Sequence, residues 1–156
     1  MLQLENRTYE ELNLGDIASV SHLVSERDLI LFAEVSGDVN PVHLDEDFAA
    51  ATSFKGRIAH GMFTGALISA AIACELPGPG TIYIGQEISF LRPVRLGDEI
   101  RVELEVIDKL PKNRVKIATR VFNQDNKQVV EGVATVMAPT EKTTIARPTL
   151  PNVTIG

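Results

Sequence analysis

The chain has 156 residues, of which 44% are hydrophobic, and it carries a formal net charge of −6 at pH 7. A chain of this length builds one domain with a substantial core, and its acidic balance argues against the basic face that nucleic-acid binding requires. The longest uncharged apolar run, Gly61 to Cys74, is shorter than the ~20 residues of a membrane span, so no membrane partner is expected.

Cysteine usage and the N-terminus bear on the compartment. Cys74 is the single cysteine, so no intrachain disulfide can form, which is typical of a reducing cytoplasm. Residues 1–6 show no basic region followed by an apolar core, so no signal peptide is predicted. We therefore expect a cytoplasmic protein.

The first elements in chain order are a strand and a short helix. Residues 17–24 predict the strand. Ser25 then precedes the acidic residues Glu26 and Asp28, which is the pattern of a helix N-cap, and an apolar periodicity continues the helix to about Gly37.

Asp38 and His43 follow in a segment that proline and glycine make irregular. Pro41 has no N–H and pushes Asn40 toward extended backbone, while Gly37 permits a sharp change of direction. Residues five apart lie on different faces of a helix, so we predict a non-helical loop that aims both side chains at one point. A converging carboxylate and imidazole form an acid/base pair suited to proton transfer on a bound water. The alternative is a polar turn that caps the next helix.

Two further helices are predicted after this loop. Residues 45–50 predict a short helix with acidic residues in its first turn, where they interact favourably with the helix dipole. The longest helix runs from Gly61 to about Glu75 and is apolar on nearly every side, which predicts burial all round. The segment from Pro77 to Gly80 ends it.

The residues between Gly80 and residue 138 predict an antiparallel sheet. Alternating apolar and polar residues, separated by turns at 110–113 and 123–127, predict strands at 81–91, 98–107, 114–122 and 128–138. Short helices, one long buried helix and a run of strands give an α+β fold with one face of the sheet covered.

Residues 139–156 do not continue the strand pattern. Pro139, Pro148 and Pro151 prevent a continuous helix or central strand and favour extended backbone. We therefore divide the chain into one domain at 1–138 and an extended tail or linker at 139–156.

The segment FAEVSGDVNPVHLD, residues 32–45, resembles the signature of the MaoC-like (R)-specific enoyl-CoA hydratases. The segments IAHGM at 58–62 and IYIGQ at 82–86 follow in the order seen in that family, so the resemblance covers roughly residues 18–138. It implies a single hot-dog domain, a curled antiparallel sheet wrapped around a long central helix, that forms at least a homodimer. Some relatives continue into a phosphate acyltransferase domain, so residues 139–156 also resemble the linker of such a fusion.

The resemblance also implies an activity and a site. Members of the family reversibly hydrate a trans-2-enoyl-CoA to an (R)-3-hydroxyacyl-CoA, with no cofactor besides the CoA thioester that is the substrate. Asp38 and His43 match the catalytic pair, Gly61 matches a glycine whose N–H stabilises the oxyanion, and Ser69 matches a serine near the substrate. Asn40 either orients one member of the pair or stabilises the turn.

Other interpretations stay open on the sequence. The same pair would serve an acyl-CoA thioesterase, or the site would be idle in a non-catalytic acyl-CoA-binding or assembly domain. His60 is either part of the site or a structural residue. The three histidines and one cysteine are scattered, so no metal site is predicted. Six cations are candidates for binding an anionic ligand, each with an ordinary surface role as the alternative: Lys55, Arg57, Arg92, Arg95, Lys112 and Arg114.

Overall fold

The computed structural model describes residues 2–156. Within that range, helices and strands follow one another in this order: β1 (Gln3–Glu5), β2 (Ile17–Leu23), α1 (Glu26–Ser36), α2 (Pro41–Leu44), α3 (Glu46–Ala50), α4 (Gly61–Cys74), β3 (Ile82–Phe90), β4 (Glu99–Leu110), β5 (Arg114–Phe122), β6 (Gln128–Met137) and β7 (Thr144–Ala146).

The centre of the molecule is a five-stranded antiparallel sheet in the order β2-β4-β5-β6-β3. Alternation decides which face is buried: Ile100, Val102 and Leu104 on β4 are at most 2% exposed, whereas the residues between them are half-buried. Helix α4 packs against this inner face and contacts β2, β3 and β4. The predicted arrangement of a sheet around one long helix is therefore confirmed.

The boundaries of α1 follow from its capping residues. The Asp28 N–H donates to Ser25 Oγ at 3.2 Å, and the Ser25 N–H donates to Asp28 Oδ2 at 2.8 Å, which is a capping box. Gly37 ends the helix with a φ of 78°, and its N–H donates to the carbonyl of Ala33. The predicted helix is confirmed at both ends.

The segment after α1 differs from the prediction of a non-helical loop. Residues 41–44 form one helical turn, so His43 lies on helical backbone. Pro41 is the first residue of α2, where a missing N–H loses no hydrogen bond. Asn40 is the N-cap, and its Oδ1 accepts from the Val42 N–H at 3.2 Å. The prediction was wrong because a proline that excludes a helix interior also starts a helix.

Helix α4 is not buried on every side within one chain, contrary to the prediction. Ile68, Ala71 and Ile72 face the core and are at most 3% exposed, because the sheet covers one side of the helix only. With 14 residues, α4 is the longest helix described, and no helix among residues 2–156 has the length and apolarity to cross a membrane. The opposite side, termed the small-residue face below, is exposed and consists of Met62, Ala66, Ser69, Ala70 and Ala73.

Strand β3 forms one edge of the sheet and runs beside the small-residue face. A Cβ added to Gly61 would lie 3.1 Å from Phe90 Cε1, and one added to Gly65 would lie 3.9 Å from Ile88 Cδ1. Several apolar side chains on β3 are exposed, among them Ile82, Ile84 and Phe90. An unpaired strand edge thus adjoins an exposed apolar helix face.

The start of the predicted tail is attached to the core. Strand β7 pairs with β1 in a separate two-stranded sheet. Asn6 is 1% exposed, and its Nδ2 donates to the carbonyls of Pro79 and Glu141 at 3.0 and 2.9 Å. The Thr143 N–H donates to Asn6 Oδ1 at 2.9 Å. A buried asparagine therefore joins the N-terminus, the turn after α4 and the segment that follows residue 138.

Candidate active site

The carboxylate of Asp38 is fixed by backbone just after α1. Its Oδ1 accepts from the Asn40 N–H at 3.1 Å, and its own backbone N–H donates to Ser36 Oγ at 3.1 Å. The side chain stays 48% exposed. Oδ2 is therefore held in place and open to a ligand or to water.

His43 is buried in α2 with one ring nitrogen bound to backbone. Its Nδ1 lies 2.8 Å from the Ile58 carbonyl oxygen, which only accepts, so Nδ1 carries the proton and Nε2 of the neutral ring is an acceptor. Arg57 Nε donates to the His43 carbonyl at 2.8 Å, and Arg57 Nη1 pairs with Glu26 at 3.0 Å. Arg57 thereby attaches α2 to α1.

The two free atoms of these side chains face each other. His43 Nε2 and Asp38 Oδ2 are 3.8 Å apart, too far for a direct hydrogen bond. Both atoms are acceptors in this tautomer, so a water molecule placed beside them donates one hydrogen to each. The arrangement suits the activation of water by a general base.

His60 contacts both members of the pair. Its ring is 3% exposed and stacks on the His43 ring, with centroids 3.8 Å apart and an interplanar angle of 25°. Its Nε2 lies 3.0 Å from the carbonyl oxygen of Asp38. The signals for His60 in the sequence were its position beside Gly61 and its place in the IAHGM segment, and neither indicated these contacts, which form between segments that are distant along the chain.

Asp38, His43 and His60 offer ligand atoms that lie within 4.8 Å of one another. A zinc ion needs nitrogen ligands that point to a common centre at about 2.0–2.1 Å. The stacked rings of His43 and His60 instead carry their in-plane lone pairs side by side, and one nitrogen of each ring already donates to a carbonyl. The geometry favours proton transfer over metal ligation.

A cavity of about 360 Å³ opens beside His60, a volume within the usual range of small-molecule sites. Gly61, Thr64, Phe90 and Arg92 are among the residues that line it. Gly61 is the first residue of α4, where backbone N–H groups have no partner within the helix and the helix dipole is positive. The N-terminus of α4 therefore lies at the wall of the cavity.

The remaining predicted site residues fall in different places. The side chain of Asn40 caps α2, and its backbone N–H binds Asp38. Ser69 is exposed on the small-residue face, two turns beyond Gly61. Within one chain, the structure does not bring Ser69 to the pair.

The candidate cations divide by position. Arg92 lines the cavity, and Arg95 approaches Gly56 at the preceding loop. Arg57 is occupied by Glu26 and the His43 carbonyl, with 9% of its side chain exposed. Lys112 and Arg114 lie at the opposite end of the sheet, because Arg114 pairs with Met137 whereas Phe90 pairs with Val130.

Comparison with known proteins gives a consistent family. Residues 15–136 match the MaoC like domain. An (R)-specific enoyl-CoA hydratase from Rhodospirillum rubrum is 42% identical over 131 residues, covering 84% of this chain and 91% of that protein. A 3-hydroxybutyryl-CoA dehydratase from Methylorubrum extorquens is 41% identical over 131 residues, covering 84% and 83%.

Solved structures give the same result. The R-hydratase PhaJ1 from Pseudomonas aeruginosa, in its unliganded form, superposes with a TM-score of 0.96 at 61% identity and covers 99% of this chain and 100% of that one. An (R)-hydratase from A. caviae has a TM-score of 0.81 at 40% identity, covering 83% and 99%. The predicted hot-dog fold is confirmed.

Proposed function

The chain belongs to the MaoC-like domain family, and from that premise we propose that it is an (R)-specific enoyl-CoA hydratase. The observation that carries this assignment is the pair of facing acceptors, His43 Nε2 and Asp38 Oδ2, 3.8 Å apart. The substrate is a trans-2-enoyl-CoA, and the product is the (R)-3-hydroxyacyl-CoA.

The pair supplies the proton transfer that hydration requires. The thioester carbonyl withdraws electrons from the double bond, which makes the β-carbon electrophilic. The oxygen of a water molecule held by Asp38 and His43 bonds to that carbon while one of its protons passes to the pair, which acts as a coupled unit. The electrons of the double bond move toward the thioester oxygen, and the α-carbon then takes up a proton.

The N-terminus of α4 stabilises the charge that develops on the thioester oxygen. The Gly61 N–H has no partner within the helix and lies in the wall of the cavity beside His60. A donor aimed at a developing oxyanion is typically worth about 10²–10³ in rate. We assign Gly61 to this role.

The reaction requires no further cofactor. Hydration adds a hydrogen and a hydroxyl group across one double bond and transfers no electrons to or from the substrate, so no redox group is needed. We further place the enzyme in the cytoplasm, which is consistent with a single free cysteine.

We also propose a homodimer formed along β3. An unpaired strand edge with exposed apolar side chains is a site for pairing with another chain, and the small-residue face of α4 lies beside it. A second copy that pairs with β3 around a two-fold axis would cover both surfaces. Ser69 would then lie at the junction, which is how we propose that it comes near a substrate.

Incubation with crotonyl-CoA tests the activity directly. A hydratase removes the absorbance of the conjugated enoyl thioester and releases no free thiol, whereas a thioesterase releases thiol. No change in either signal would favour a binding domain and would contradict the proposal. Chiral analysis of the product must give the (R)-3-hydroxy isomer.

A further inference from the structure

We propose that His60 is a positioning residue that holds Asp38 and His43 in register for catalysis, an inference that rests on the proposed hydratase function. A single side chain makes one contact with each member of the pair. Its Nε2 binds the Asp38 carbonyl at 3.0 Å, and its ring stacks on the His43 ring at 3.8 Å.

The hydrogen bond defines the state of the His60 ring. A backbone carbonyl only accepts, so the Nε2 of His60 carries the proton, and its Nδ1 in the neutral ring is a bare acceptor. Nδ1 is buried, and among residues 2–156 it has no hydrogen-bond partner. The Asp38 carbonyl is thus the one polar contact of this ring within the described chain.

Packing alone does not explain why position 60 is a histidine. An apolar ring of similar shape would fill the same space between His43 and Phe32 without burying an unsatisfied nitrogen. Asp38 lies in an exposed segment, so water would satisfy its carbonyl if the imidazole were absent. Burying His60 Nδ1 without a hydrogen bond costs stability, and a local cost of this kind indicates that the residue is kept for a functional reason.

The two contacts have separate effects on the pair. Asp38 follows α1, whereas His43 belongs to α2, so the distance between their reactive atoms depends on how these two segments are joined. The Nε2 donor ties the Asp38 backbone to the start of α4, and the stacked ring limits rotation of His43. Displacing a catalytic group by about 1 Å costs up to about 10²-fold in rate.

Two variants separate these contacts. His60→Phe keeps a stacked ring and removes the donor, whereas His60→Gln keeps an N–H donor at similar reach and removes the ring. We expect each to lower kcat for crotonyl-CoA hydration by about 10-fold to 100-fold, with KM changed less than about twofold, since a positioning residue acts on the catalytic pair rather than on substrate binding. The melting temperature of His60→Phe should equal or exceed that of the wild type.

The combination of retained stability and lost turnover distinguishes positioning from packing. If His60→Phe keeps kcat within about twofold, the role of the donor is overturned, and the same result for His60→Gln overturns the role of the stack. His22→Gln is a matched control, because His22 pairs with Asp28 in the first turn of α1, whereas Asp38 follows the last turn, and it should keep wild-type kcat.

A measurement on the unaltered protein keeps the inference testable if a variant fails to fold. Nitrogen-15 NMR of the histidine rings should show His60 as the Nε2–H tautomer at neutral pH, and the Nδ1–H tautomer would contradict the proposed hydrogen bond. This readout does not depend on turnover, so it distinguishes failure of the positioning role from failure of the hydratase assignment.

Discussion

Asp38 and His43 are each anchored through one atom of the side chain while the other atom stays free. Asn40 N–H binds Asp38 Oδ1, and the Ile58 carbonyl binds His43 Nδ1. Backbone groups fix both anchors, so the free Oδ2 and Nε2 keep their separation without help from substrate. Preorganisation of this kind is what makes proton transfer efficient in a bound state.

Asp38→Asn and His43→Gln should each lower kcat by about 10²–10⁴-fold, because each removes proton-transfer capacity and leaves a neutral amide at similar reach. Circular dichroism and thermal melts should show an intact fold. The double variant should be little worse than the more impaired single variant, since residues that share one water act as a unit. Losses that multiply would contradict a shared water.

Gly61→Ala should reduce turnover far more than Gly65→Ala. A Cβ at Gly61 would lie 3.1 Å from Phe90 Cε1 in the wall of the cavity, so the ring must move where the oxyanion is expected. At Gly65 the new Cβ would meet Met62 Cε at 3.2 Å, a similar crowding one turn further along α4. Steady-state kinetics of both variants check this, and equal kcat values would remove Gly61 from the site.

At the scale of elements, the capping box of α1 makes stability depend on pH. Partial burial raises the pKa of Asp28, but hydrogen bonds from the Ser25 N–H, the His22 ring and the Ser25 hydroxyl lower it by more, so the net pKa lies below its ordinary value. A lowered carboxyl pKa stabilises the folded state above the unfolded value, and that contribution is lost as pH falls through the folded value.

Asp28→Asn should therefore unfold at lower denaturant concentration than the wild type at pH 7. The difference should narrow as the pH falls below 3.8, the ordinary value for this carboxyl, because the wild-type side chain then also becomes neutral. Urea titrations at pH 7 and at a pH below 3.8 measure this difference in denaturant midpoint. If the difference in midpoint between the two proteins does not change with pH, the charge of Asp28 contributes nothing to stability.

The segment after residue 138 gives a second prediction at this scale. A chain that ends at Ala138 loses strand β7 and the side-chain hydrogen bonds of Asn6 to Glu141 and Thr143, while the bond to Pro79 remains. The loss should cost roughly 2 kcal/mol or more in the free energy of unfolding. A chain that ends at Arg147 retains them and should match the wild type. Denaturant unfolding measures the free energy of unfolding of both chains. Equal values would show that β7 contributes nothing to stability.

Most elements could be predicted from sequence because their causes are local. Alternating burial on β4 and the Ser25 cap of α1 each follow from a few neighbouring residues in the sequence. Helix α2 was missed although its cause is local, because Pro41 takes the first helical position. The 3.8 Å separation of Asp38 and His43 depends instead on tertiary contacts with Ile58 and His60, which lie much further along the chain. The residue types of the pair were therefore predictable, and their geometry was not.

For the whole molecule, the proposed dimer uses one of the two edges of the sheet. Strand β3 adjoins the small-residue face of α4, and Ile84 is 45% exposed there, whereas Ile17, 62% exposed, lies on the opposite edge strand, β2. The wild-type protein should sediment as a dimer or a larger oligomer at micromolar concentration. A monomeric mass would contradict pairing along β3.

Ile84→Lys tests where the partner binds. A lysine on an edge strand opposes pairing with another chain, so this variant should shift toward monomer in analytical ultracentrifugation while keeping the circular dichroism of the wild type. Ile17→Lys introduces the same charge at an exposed isoleucine of β2 and should remain dimeric. Because Asp38 is half-exposed and Ser69 lies on the uncovered face of α4, the monomeric variant should also lose hydration of crotonyl-CoA. Full activity in a monomer would show that one chain holds the complete site.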